Sequence, residues 1–162
     1  MKVKLVKDCR DEIPKSVRLM GLDLGAKTIG VAICDAGQSI ATPLMTVKRT
    51  KFSKDIVALA KIIKEYEIGG YILGWPVHMD GSLSPRCDAV QSFADEMGRH
   101  PEIFGSKPFI AFMDERLSTS TVDNFVHNRV DMNKSSKRGA KESGLTDRLA
   151  AQIILQNALD GL

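Results

Sequence analysis

Cysteine and histidine are scarce in this sequence, which argues against two common kinds of small structure. The 162 residues include three cysteines and three histidines, and both types are scattered along the chain. An odd number of distant cysteines fits neither a disulfide framework nor a zinc motif. No cysteine or serine with a base partner competes as a catalytic nucleophile. These absences exclude a disulfide scaffold and disfavour zinc and nucleophilic chemistry.

Long apolar runs are also lacking. None approaches the roughly 20 residues of a membrane-spanning helix, and the first 16 residues lack the apolar core of a secretory signal. We therefore expect a cytoplasmic protein without membrane association. With 43% hydrophobic and 27% charged residues, the chain has the composition of one globular domain. We expect residues 1–16 to be a loosely held N-terminal extension and residues 17–162 to form the folded domain.

The excess of positive charge is small and lies at one end. The net charge is +3, and residues 1–18 contain six basic and three acidic side chains, so the remaining residues balance. Overall charge is therefore poor evidence for nucleic-acid binding. Two basic clusters, at 48–54 and 134–141, are candidates for phosphate contacts, although for each cluster alone a solvated loop or helix start is the more common explanation.

The spacing of apolar residues predicts an α/β fold. Alternating or continuous apolar runs predict strands at 17–25, 28–35, 39–47, 71–74 and 108–113. A period near 3.6 residues, or a capping residue before a periodic run, predicts helices at 52–66, 86–99, 118–128 and 145–159. The polar segment 131–142 is expected to be a mobile loop. Strands first, then strands alternating with helices, indicate a mixed five-stranded sheet with helices on both faces.

Three acidic positions interrupt or end apolar elements and are candidates for one site. Asp23 lies inside the first apolar strand, where a carboxylate is costly unless it is paired, hydrogen-bonded or bound to metal. Asp114 and Glu115 end the last strand, and ligands of α/β proteins gather at such strand ends. Neighbouring strand residues face opposite ways, so only one of these two acids can join Asp23. Asp147 opens the last helix on its apolar face and is expected to point towards the core.

Each acid also has a purely structural interpretation. Asp114 or Glu115 can pair with Arg116 or form a turn, and Asp147 can complement the helix dipole. Three carboxylates brought together would repel one another, which a hard divalent cation relieves. Two Mg²⁺ ions roughly 4 Å apart can activate a water and stabilise the leaving oxygen of a phosphodiester. Taken together, the acids favour metal-dependent phosphodiester hydrolysis.

Four blocks, in order along the chain, resemble motifs of the YqgF/RuvX family. They are LDLGAKTIGVA at 22–32, GWPVHMDG at 74–81, DERLST at 114–119 and DRLAAQIILQ at 147–156. One such block alone would be a weak signal, but four in sequence are a strong one. The family contains proteins described as Holliday junction resolvases and linked to pre-16S rRNA processing.

The resemblance implies an RNase H-like fold and a metal-dependent endonuclease. It implies that Asp23, Glu115 and Asp147 are the catalytic acids and hold Mg²⁺ or Mn²⁺, and so it selects Glu115 over Asp114. The implied partner is structured RNA, with processing of the 5′ end of pre-16S rRNA as the reaction.

Basic residues in and between these blocks are expected to contact phosphates. They are Lys27, Arg86, Arg116, Lys137 and Arg138. Two residues of the glycine loop depart from the family pattern, because Trp75 replaces the usual leucine and His78 the usual asparagine. Trp75 either stacks on a base or sugar or, more simply, packs behind the loop.

Three other functions compete with an RNA nuclease. Branched DNA is an alternative substrate, and a two-fold junction would call for a homodimer rather than a monomer. A non-catalytic nucleic-acid-binding module would keep the same fold. An ATPase with a phosphate-binding hairpin is disfavoured, since such enzymes need two duplicated domains and this chain has room for one.

Overall fold

The computed structural model describes residues 4–115 and 144–162 and is built around one five-stranded sheet. The strands are β1 (Arg18–Leu24), β2 (Thr28–Cys34), β3 (Ala41–Lys48), β4 (Ile68–Trp75) and β5 (Ile110–Asp114). Their order across the sheet is β3-β2-β1-β4-β5. Strands β1, β2 and β3 pair antiparallel, whereas β4 and β5 run parallel to β1. The predicted mixed sheet of five strands is confirmed.

Helices cover both faces of this sheet. They are α1 (Phe52–Tyr66), α2 (Pro85–Gly98), the short α3 (Pro101–Phe104) and α4 (Leu145–Asp160). Helices α1 and α2 bury their apolar side chains against one face, and α4 buries its own against the other. The sequence did not predict α3, and the helix and loop predicted at 118–128 and 131–142 lie outside the described residues. No helix in the described part is long and apolar enough to cross a membrane.

Helix α4 lies very close to the sheet because glycines face it. A Cβ at Gly21 would lie 2.8 Å from the Cβ of Leu155, and one at Gly30 would overlap the backbone carbonyl of Asp147. A side chain at either position would push the helix away from the strands. The two glycines therefore set the depth at which the first turn of α4, with Asp147, meets β1 and β2.

The N-terminal segment is packed onto the domain, so the expectation of a loose extension is wrong from Lys4 onwards. The backbone N–H of Phe112 donates to the carbonyl of Lys4 over 2.8 Å, and Leu5 forms a parallel bridge with Phe112. The segment thereby pairs with the outer edge of β5. Two short 3₁₀ turns follow and bury three apolar side chains, those of Val6, Cys9 and Ile13. Alternating charge and apolarity had concealed this packing.

Ile13→Ala tests whether this segment contributes to stability. Ile13 is 3% exposed, and removing a buried isoleucine side chain costs about 2–5 kcal/mol of unfolding free energy. The matched control is Ile40→Ala, since Ile40 is 66% exposed. We expect urea denaturation to show a clear loss for Ile13→Ala and little change for Ile40→Ala. Equal stabilities would mean that the segment is loosely held after all.

Candidate active site

The side chains of Asp23 and Glu115 meet at the carboxyl ends of β1 and β5, on either side of β4. Asp23 is the penultimate residue of β1, and Glu115 directly follows β5. Strand β4 runs between them, and its Gly74 has no side chain to separate them. A Cβ at Gly74 would overlap the Oε1 of Glu115. The space left by this glycine is therefore the space that the Glu115 carboxyl occupies.

Strand alternation decides which acid of the Asp114–Glu115 pair enters the site. Ala111 and Met113 pack in the cluster under α4, and Glu115 continues that face by two residues. Asp114 belongs to the opposite face, where it pairs across the sheet with Trp75. The structure thus brings Glu115, rather than Asp114, to Asp23.

Asp147 reaches the same end of the sheet from α4. Asp23 is the cross-strand partner of Gly30, and the backbone of Asp147 lies directly against that glycine. The Thr28 hydroxyl donates a hydrogen bond to Oδ2 of Asp147 over 2.9 Å. The Asp147 charge is close enough to raise the pKa of Asp23. All three predicted acids therefore lie on one face, around the end of β1.

Burial and mutual repulsion dominate the electrostatics of this site. Burial first, and then the negative charge of Asp23, raise the pKa of Glu115 to about 8. Burial is also the largest cause of the raised pKa of Asp23, and Asp147 adds to it. The Glu115 carboxyl donates a hydrogen bond to Asp23, which requires a proton on Glu115. This hydrogen bond lowers the pKa of Asp23 and adds to the raised pKa of Glu115, so Glu115 is the acid that keeps a proton near neutral pH.

The donor chemistry of the pair fits a hard divalent cation. Within residues 4–115 and 144–162, no three His, Cys, Asp or Glu side chains are already grouped as a metal site. The Asp23–Glu115 pair nevertheless offers the carboxylate oxygens that Mg²⁺ prefers, and a cation would replace the proton that now relieves their repulsion. Asp147 is turned towards Thr28 and stands beside the pair.

The turn after β1 is clamped by two arginines. A guanidinium nitrogen of Arg86 donates to the carbonyl of Leu24 over 2.7 Å, and one of Arg49 donates to the carbonyl of Gly25 over 2.6 Å. The backbone N–H of Arg49 also donates to the carbonyl of Lys27 over 2.8 Å. These bonds fix the turn next to the acids while the side chain of Lys27 remains exposed.

The predicted phosphate contacts divide into placed and unplaced residues. Lys27 is exposed on the clamped turn, and Arg86 is close enough to lower the pKa of both Asp23 and Glu115. Three others lie outside the described residues, namely Arg116, Lys137 and Arg138. In the glycine loop, His78 is exposed, whereas Trp75 is buried edge-on against Phe112 with ring centroids 5.1 Å apart.

Sequence reasoning missed three residues that organise the site. In the sequence Arg49 is one member of the basic cluster at 48–54, and this pattern does not predict its hydrogen bond to the carbonyl of Gly25. Thr28 lay inside the opening motif, but no local pattern pairs it with Asp147, which is 119 residues distant. Gly74 was recognised as the end of a strand, and its juxtaposition with Glu115 needs the β4–β5 register.

The comparison with known protein families decides the relationship. The RuvX family, described as Holliday junction resolvase, matches residues 17–161. The chain belongs to the RuvX family. A relative from Rhodospirillum centenum with the provisional name pre-16S rRNA nuclease is 41% identical over 100% of this chain and 83% of its own length. A relative of the same name from Rhodobacter capsulatus is 45% identical over 93% of this chain and 87% of its own length.

Solved structures agree on the fold. The chain superposes on T. thermophilus RuvC, determined in complex with Holliday junction substrate, with a TM-score of 0.51. The alignment covers 90% of this chain and 94% of that one, with 12% sequence identity. At this identity the similarity concerns the fold alone, and it confirms the RNase H-like architecture predicted for this RuvX family member.

The raised pKa of Glu115 predicts a stability that falls with rising pH. Between the ordinary value of 4.5 and the folded value of about 8, the folded state keeps a proton that the unfolded state has lost. The unfolding free energy of the metal-free protein should therefore drop across this window, by at most about 1.4 kcal/mol per pH unit. Urea denaturation in chelator, from pH 5 to pH 8, measures the slope.

Glu115→Gln supplies the control, because glutamine keeps the shape and hydrogen-bonding capacity of the protonated acid. We expect the variant to lose most of the slope between pH 5 and pH 8. An identical slope in both proteins would show that Glu115 does not hold the extra proton.

Proposed function

We propose that this chain is a divalent-metal-dependent endonuclease that cleaves structured RNA and processes the 5′ end of precursor 16S rRNA in the cytoplasm. The observation that carries the proposal is the juxtaposition of Asp23 and Glu115, with Asp147 on the same face. Membership of the RuvX family makes the chain a nuclease. The names of relatives that match over most of their length support RNA as the substrate.

In this proposal Asp23 and Glu115 hold Mg²⁺ or Mn²⁺, and Asp147 completes the site. The bound ion would supply an activated water and stabilise the leaving oxygen of the phosphodiester. Glu115 would bind the cation as a carboxylate, because the positive charge would offset the burial and the repulsion by Asp23 that raise its pKa. Thr28 keeps the carboxylate of Asp147 oriented towards the end of β1.

The substrate backbone is held by basic side chains around the acids. Lys27 is exposed on the turn that follows Asp23, and Arg49 and Arg86 hold this turn by hydrogen bonds to its carbonyl groups, so we expect Lys27 to contact a phosphate of the substrate. Arg86 places a second positive charge near Asp23 and Glu115. From the sequence alone, the proposal adds three further phosphate contacts, by Arg116, Lys137 and Arg138.

Substitution of the acids tests the catalytic assignment. We expect Asp23→Asn and Glu115→Gln to lower cleavage of precursor 16S rRNA in Mg²⁺ on the order of 100-fold or more, because each removes a charged ligand. Asp160→Asn is the matched control, since Asp160 is an exposed acid at the end of α4, far along that helix from Asp147. It should cleave within a few-fold of the parent. Undiminished cleavage by Asp23→Asn would refute the proposed site.

The same assay separates the two candidate substrates. Branched DNA is the second candidate substrate, and it is supported by the family description and by the fold shared with a resolvase. A four-way DNA junction is therefore incubated alongside the precursor RNA, and we expect faster cleavage of the RNA. Preferential cutting of the junction would move the proposal to DNA, and cleavage of neither substrate by the parent protein would favour a binding module.

Metal binding has its own readout in thermal stability. At pH 7.5, millimolar Mg²⁺ or Mn²⁺ should raise the melting temperature of the parent protein by about 2 °C or more, since a ligand of the folded state stabilises it. The Asp23→Asn variant should show no such shift. NaCl at equal ionic strength controls for general screening. A shift of the same size in both proteins would place the metal elsewhere.

A further inference from the structure

A cavity of about 280 Å³ lies between the N-terminal segment and the loop at 76–84. Apolar and aromatic side chains form most of its wall, among them Leu5, Trp75, Val77, Leu83 and Phe112. Its volume falls just below the roughly 300–1,000 Å³ of typical small-molecule sites. The cavity therefore has room for a flat ring system rather than for a complete nucleotide.

The cavity borders the candidate active site. Asp114 lines it and pairs across the sheet with Trp75, the last residue of β4. Glu115 is the next residue along the chain, and consecutive Cα atoms lie about 3.8 Å apart. Asp114 and Glu115 point to opposite faces of the sheet, so a nucleic-acid strand with a phosphate at the acids would reach the cavity with a neighbouring base by passing over the carboxyl ends of β4 and β5.

The loop at the cavity mouth exposes apolar side chains that need an explanation. Leu83 lines the cavity yet is 67% exposed, and Met79 of the same loop is 81% exposed. They are two of the five large hydrophobic side chains that are exposed in the described parts of the chain. Clustered apolar exposure beside a concave site is typical of a binding surface.

Charge complementarity selects the class of occupant. The N-terminal wall of the cavity carries Lys7, which is exposed, and Arg10, whose guanidinium donates to the carbonyl of Ala158 over 3.4 Å. With Asp114 as the one acid among the described residues of its lining, the cavity keeps a net positive charge, which matches the phosphates that flank a base. Single-stranded nucleic acids are bound by apolar and aromatic surfaces for the bases and positive charge for the backbone. In this cavity the exposed apolar contact comes from Leu83, because Trp75 and Phe112 are buried behind it.

We infer that this cavity binds one unpaired base of the RNA strand, next to the phosphodiester bond at the Asp23–Glu115 site. The inference rests on the proposed function and adds a subsite to it. Because the walls are mostly apolar, the subsite senses whether a base is present and unstacked more than which base it is. The N-terminal segment thereby contributes one wall of a substrate pocket in addition to covering the edge of β5.

The test uses the full chain carrying Asp23→Asn, so that bound RNA is not cut. The probe is a fluorescent single-stranded RNA with the sequence around the 5′ processing region, together with copies in which one position at a time is abasic. Anisotropy measures each dissociation constant. We expect one position at which the missing base weakens binding about tenfold.

Leu83→Ala, added to the same protein, identifies the pocket. It should bind the intact RNA about as weakly as the Asp23→Asn protein binds RNA that is abasic at the critical position. Removing the base at that position should then weaken its binding little further. The matched control is Leu162→Ala, because Leu162 is also exposed (53%) and lies outside this cavity. That variant should keep the full penalty. Lys7→Ala should weaken binding of intact and abasic RNA equally.

The absence of any sensitive position would overturn the inference, and so would an unchanged penalty in Leu83→Ala. Weaker binding of Leu83→Ala to preribosomal particles but not to naked RNA would also overturn it, since a protein partner would then occupy the cavity. The outcome is separable from that of the proposed function. If the parent protein cleaves the RNA but Leu83→Ala keeps the abasic penalty, only the subsite is refuted. If Leu83→Ala loses the penalty but the parent protein does not cleave the RNA, only the nuclease proposal is refuted.

Discussion

The partly buried carboxyl group of Asp23 and the buried carboxyl group of Glu115 lie side by side, and their repulsion has to be relieved by a proton or a cation. The fold imposes this unfavourable arrangement, because β1 and β5 position the two acids and Gly74 of β4 leaves the space in which they meet. Burial raises the pKa of both groups. Such a site lowers the stability of the metal-free protein, and binding of a positively charged ligand would offset that loss.

The remaining parts of the structure hold this pair in place. Gly30 lets the first turn of α4 touch the sheet, which brings Asp147 to the end of β1. Arg49 and Arg86 fasten the turn that follows Asp23 through carbonyl groups, so rigidity comes without neutralising the acids directly. The N-terminal segment seals the edge of β5, the strand that ends at Glu115. Acids, basic side chains and the neighbouring cavity thus share one edge of the sheet.

Local patterns in the sequence predicted the architecture and the position of Asp23 well. Apolar runs and helical periodicity indicate which elements are buried, and a lone acid in a strand indicates a candidate functional site. The choice of Glu115 over Asp114 needed the family resemblance, because alternation allows either until the strand is placed in the sheet. The Thr28–Asp147 bond and the packing of Ile13 were unpredictable from local patterns, since both depend on contacts between distant parts of the chain.

The central claim is that the adjacent carboxyl groups of Asp23 and Glu115 bind a divalent cation. A crystal structure of the full chain grown with Mn²⁺, with anomalous diffraction measured at the manganese edge, tests it most directly. The account predicts an anomalous peak coordinated by carboxylate oxygens of both residues, at about 2.0–2.3 Å as expected for oxygen ligands of a small divalent ion, with Asp147 beside it. Manganese elsewhere, with the two carboxyl groups still hydrogen-bonded to each other, would contradict it.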